Sequence, residues 1–100
     1  MMERLDSKVF AEHLNTQFHV QLEPGEPLIL ELFDVSERND SANTEQFSLL
    51  FRGPLSPLMP QGIRILEHSR LGKLDLFLVP LGTDQQGVCY QAIFNRLKKT

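Results

Sequence analysis

Hydrophobic positions recur along the chain in two rhythms, and the change between them marks the first structural boundary. Leu5, Val9, Phe10, His13 and Leu14 fall at three- and four-residue spacing, the signature of one helical stripe. Asp6 or Ser7 can accept a hydrogen bond from a first-turn amide, and Asn15 supplies the stop, so the spacing predicts a helix over 5–15. So short a helix is marginal alone in water and must dock on something.

From Gln17 the period drops to two. Phe18, Val20 and Leu22 share a face before the Glu23-Pro24-Gly25-Glu26-Pro27 turn. Leu28, Leu30 and Leu32 continue the alternation, but Phe33 and Val35 have the opposite parity. Either both faces are covered there or a bulge switches phase near Leu32–Phe33. A polar connection over 37–44 leads to Phe47, Leu49 and Phe51. After a proline-rich break over 53–61, Ile63 and Ile65 read as the inward set of the next strand, against Arg64, Leu66 and His68. Ser69-Arg70-Leu71-Gly72 suits a four-residue hairpin loop with Gly72 left-handed. Leu74, Leu76 and Leu78 then oppose Phe77 and Val79, and Tyr90, Ala92 and Phe94 line the last strand. The expectation is a mainly all-β domain. About six antiparallel strands over 17–97 run as a meander that closes into a small barrel or sandwich, behind one N-terminal helix. An OB-fold is disfavoured because the helix comes first.

Apolar residues also occupy faces that a half-exposed sheet would leave polar. Phe33, Val35, Leu50, Leu66, Phe77 and Val79 all oppose the core-facing sets of their own strands. A three-turn helix can cover only part of one face, and a large apolar remainder marks an interface. Phe33, Leu50, Leu66, Phe77 and Val79 are therefore the candidate interface. The strands near Phe77 and Val79 are expected to pair with another subunit or a protein partner, giving a homo-oligomer.

At 100 residues and 11.5 kDa, with 41% apolar and 23% charged residues, the chain has the size and make-up of one folded domain over 1–100. A net charge of −3 argues against a nucleic-acid partner, which calls for clustered Lys and Arg. Arg96, Lys98 and Lys99 read as a solvated tail. No apolar run approaches the length needed to span a bilayer, so no membrane partner is expected. Cys89 is the single cysteine, which excludes an intrachain disulfide, and it reads as a small buried hydrophobe. The opening MMERLDSKVFAEHLN carries acidic residues and no apolar signal core, which predicts a cytoplasmic protein.

Candidate chemistry is sparse. His13, His19 and His68 have no metal-ligand spacing, so no metal is expected. His68 and Asp75 flank the hairpin and read as an ion pair pinning its register rather than as an acid–base device. There is no nucleophile elbow and no Gly-rich phosphate cradle. The chain is accordingly read as non-catalytic, with no cofactor. Pro54, Pro57 and Pro60 recur every three residues, while Leu55, Leu58 and Met59 between them suit a cap over one barrel end. A second reading makes the 54–60 loop the lid of a small-ligand barrel, with Arg64, His68 and Tyr90 as polar contacts.

The segments FAEHLNTQFHV, EQFSLLFRGP, QGIRILEHSRLGKLDLFLVPLG and YQAIFNR, most distinctively around His68, Leu71, Gly72, Phe77 and Pro80, carry a resemblance. The chain resembles an uncharacterised bacterial family of small domains, about a hundred residues long, of unknown function. That resemblance implies no catalytic residues. It leans towards a structural or assembly role, as an accessory component of phage-tail-like or surface-associated systems.

Overall fold

The computed structural model describes residues 6–22, 25, 27–38 and 44–97, with the backbone alone for Arg38, Thr44, Arg96 and Leu97. Leu5, most of the 23–26 turn, positions 39–43 and the Lys98–Lys99 tail lie outside the described residues.

The chain forms α1 (Ser7–Ala11), β1 (Gln17–Val20), β2 (Leu28–Arg38), β3 (Thr44–Gly53), β4 (Gly62–His68), β5 (Gly72–Asp84) and β6 (Gly87–Leu97). The Asp6 carboxylate caps α1, accepting the Val9 amide at 3.0 Å. The α-helix proper is shorter than the 5–15 expected, and the chain continues in turns to Asn15, whose φ of 66° is left-handed. Pairing with β2 ends the helix. The Asn15 amide donates to the Leu32 carbonyl at 2.7 Å, and the Leu32 amide donates to Thr16 at 3.2 Å, so the β ladder begins one residue after the helical turns.

The six strands close in the order β1-β2-β3-β6-β5-β4, and every neighbouring pair is antiparallel. The meander is therefore interrupted once. Two three-stranded meanders, β1-β2-β3 and β4-β5-β6, are joined along β3–β6 and closed by His19 opposite Glu67 and Val20 opposite Leu66. The proline-rich segment 54–61 makes the crossing from β3 to β4, which are not neighbours. In β2 the register slips between Leu32 and Asp34, so Phe33 is the extra residue and Val35 returns to the inner face opposite Leu49. The parity change in the sequence is that bulge.

Alternate residues of each strand fill the barrel. Phe18, Leu30, Leu32, Leu49, Phe51, Leu66, Val88 and Tyr90 are fully buried, and Leu74, Leu76 and Leu78 face inward with them. Each such side chain contributes roughly 1.5–3 kcal/mol of burial. α1 plugs one end. Phe10 is sealed from solvent against Phe47 and Phe94, with ring centroids 6.1 and 5.6 Å away, and the Ser7 hydroxyl donates to the Glu37 carboxylate. The loop between β3 and β4 closes the other end through Met59 alone, whose amide donates to the Tyr90 hydroxyl at 3.0 Å. Leu55 and Leu58, each 56% exposed, do not join the cap. Among the described residues no helix is long and apolar enough to cross a membrane.

Candidate functional site

Hairpin register decides which side of β4 faces in. His68 lies opposite Gly72, which sets Leu66 opposite Leu74, Arg64 opposite Leu76 and Gly62 opposite Leu78. Because Leu74, Leu76 and Leu78 are inward, their partners are too. Leu66 is fully buried, so it belongs to the core and not to an interface. The displaced residues are Ile63 and Ile65, read from the sequence as inward. They stand outside, 70% and 47% exposed, and Ile63 lies directly across from Phe77, itself 51% exposed.

The outer surface of β4 and β5 therefore carries an Ile63–Phe77 cross-strand pair flanked by Ile65, with Asp75 opposite Ile65 as its acidic neighbour. Half-buried Val79 continues this row along β5. The other two expected interface residues lie elsewhere. Leu50 is half-buried between Asp34 and Gln91 on the neighbouring strands, and Gln91 separates it from Val79. Phe33 sits at the bulge beneath the Arg52 guanidinium, 4.3 Å from the ring centroid, a cation–π contact that occupies its face. Ile29 and Ile93 are further exposed apolar residues that the sequence reading passed over.

Arg64, His68 and Tyr90 do not meet. The Tyr90 hydroxyl is engaged by Met59, and Arg64 reaches the Pro60 carbonyl at 2.8 Å, both at the mouth closed by the proline-rich loop. The Arg64 Nε is buried and has no hydrogen-bond partner among the described residues. His68 is at the opposite end, beside α1, and the packed interior lies between. That arrangement provides no common ligand cavity for the three.

His68 is instead the centre of a local network. Its Nδ1 accepts both the Arg70 and Leu71 amides, at 3.1 and 3.2 Å, so the ring hydrogen is on Nε2. Nε2 donates to the Thr16 hydroxyl at 2.9 Å, which in turn donates to the His13 carbonyl at 2.6 Å. The ring also packs on His13 and Phe18, at 4.7 and 4.5 Å. Burial, then the nearby His13 and Arg70, push its pKa below the ordinary imidazole value. The expected ion pair with Asp75 is absent because His68 faces inward while Asp75 is exposed opposite Ile65. One buried neutral imidazole thus ties the helical turns, β1 and the β4–β5 hairpin together.

Cys89 is half-buried on the outer face of β6, opposite Arg52. Burial raises its pKa more than the guanidinium lowers it, which is the reverse of an activated thiolate. Among the described residues no three His, Cys, Asp or Glu side chains are placed to hold a metal ion.

These features define a class: a small, filled, closed six-stranded β-barrel, plugged by a short helix at one mouth and bearing an apolar outer face on one hairpin. Residues 5–94 match the family described as a domain of unknown function, DUF6916, and the chain belongs to that family. No curated protein and no solved structure matches it.

Proposed function

We propose that the protein is a non-catalytic interaction and assembly module that docks through the outer face of β4 and β5 onto a second copy of itself. The observation that carries this reading is the exposed Ile63–Phe77 pair with Ile65 beside it, three large apolar side chains contiguous on a sheet surface. A twofold contact sets the same apolar side chains against each other and needs no second, different surface. Association is face to face. A closed barrel has no free edge in its cycle of strands to offer for the intersubunit strand pairing expected from the sequence. A cytoplasmic location, and an accessory place in a phage-tail-like or surface-associated assembly, belong to the same reading. The single, unactivated thiol is compatible with the first.

Sedimentation velocity across a micromolar concentration series tests it. The wild-type chain is expected to shift from monomer to dimer, and Phe77→Lys, at an exposed position outside the barrel core, is expected to keep the wild-type circular dichroism and stay monomeric. A wild-type chain that is monomeric throughout, or a variant that associates equally well, overturns the proposal.

A further inference from the structure

The chain's three histidines, far apart in sequence, line one open groove of about 340 Å³ at the helix-plugged mouth. Its wall is completed by Arg70, the hydroxyls of Thr16 and Ser69 and the Gln17 amide, and among the described residues that line it none is a carboxylate. On a chain whose net charge is −3, the Arg70 guanidinium is the formal charge among these described lining side chains.

The groups divide into a frame and a set of free donors. His68 and Thr16 are the frame, since both ring nitrogens and the hydroxyl are already engaged. Arg70 and His19 are exposed, and among the described residues no carboxylate pairs with the Arg70 guanidinium. By register two carboxylates border the groove without lining it, Glu67 opposite His19 and Glu31 opposite Gln17, and Glu67 accepts the Gln21 side-chain amide at 3.2 Å. Burial lowers the His68 pKa most, and the neighbouring His13 and Arg70 lower it further.

We infer that this groove binds a small oxyanion, phosphate or carboxylate, held by the Arg70 guanidinium with His19, Ser69 and Gln17 donating around it. Arginine matches both anions with a planar fork of donors, and the shared chemistry is recognition of a charged oxygen pair. The site is separate from the outer face of β4 and β5, because its β4 contribution, His68, points to the other side of that strand.

The test is a titration of the full-length chain at neutral pH and constant ionic strength, followed by amide and imidazole NMR. Inorganic phosphate, acetate and chloride serve as the three arms. Saturable shifts confined to residues around His19 and Arg70 are expected with phosphate or acetate. The tighter of the two identifies the anion class, while chloride produces none. Arg70→Ala, checked for an unchanged thermal midpoint, is expected to weaken binding roughly tenfold or more. Non-saturating shifts, equal responses to chloride, or full affinity in Arg70→Ala overturn the inference. His19→Ala gives a second exposed variant with the same expected direction.

Discussion

His68 makes the stability of this fold depend on pH in a direction that its hydrogen bonds dictate. Nδ1 accepts two amides, so a proton there would face two donors and break both contacts. The folded-state pKa is lowered, whereas the unfolded chain titrates near the ordinary value of about 6.5. On acidification the unfolded state therefore takes up its proton first. The stability owed to neutral His68 is fully present above about pH 6.5 and is lost as pH falls below that value. Replacing His68 with Phe keeps a ring against Phe18 but removes three hydrogen bonds, each worth roughly 0.5–1.5 kcal/mol net. The summed loss of about 1.5–4.5 kcal/mol is a large part of the roughly 5–15 kcal/mol that holds a domain folded. It should lower the thermal midpoint by at least about 6 °C at neutral pH. Urea unfolding of wild type and His68→Phe from mildly acidic to mildly alkaline pH is the assay. The gap between the two should be widest above neutrality and shrink on acidification. A constant gap, or nitrogen NMR shifts that place the ring hydrogen on Nδ1, would refute the reasoning.

The plugged ends and tight turns yield further expectations. Phe10→Ala removes the ring packed against the stacked Phe47–Phe94 pair and should cost about 3–5 kcal/mol by chemical denaturation, even though it lies on a five-residue helix. Tyr90→Phe strands the Met59 amide in the loop-capped mouth, with an expected loss of about 1–3 kcal/mol and faster proteolysis within 54–61. Gly87 has φ of +136°, and a Cβ there would land on the Gly53 carbonyl, so Gly87→Ala should cost more than about 3 kcal/mol. Gly72→Ala is the control: its φ of +80° is also left-handed, but a Cβ meets open space, so only about 1–2 kcal/mol is expected.

Strand count and the inward sets of β3, β5 and β6 were legible because alternation there is nearly unbroken, while the parity change at Phe33 left a bulge and a doubly covered strand as alternatives and the helix ends at Ala11, short of Asn15. β4 was misread for a physical reason. Its inner face carries Arg64 and His68, whose polar ends reach Pro60 and Thr16 at opposite mouths, while two β-branched residues occupy the outer face. Apolar character alone then points the wrong way. The corrective signal was present in the hairpin: a loop ending at Gly72 pairs His68 with Gly72, which forces Leu66 opposite Leu74. The interruption between β3 and β4 was harder to read, since nothing in the proline-rich segment distinguishes a turn to a neighbour from a crossing of the barrel end. The gathering of His13, His19 and His68 was likewise hidden, because it arises from closure of β1 on β4 and not from local spacing.

The central claim is that the outer face of β4 and β5 is where copies of this chain meet. Isotope-filtered NOE spectra on a mixture of labelled and unlabelled protein probe it atom by atom. Cross-subunit contacts between the Phe77 ring and the methyls of Ile63 and Ile65 are the predicted result. A complete lack of intersubunit signals, or contacts arising only from another part of the barrel, would contradict it.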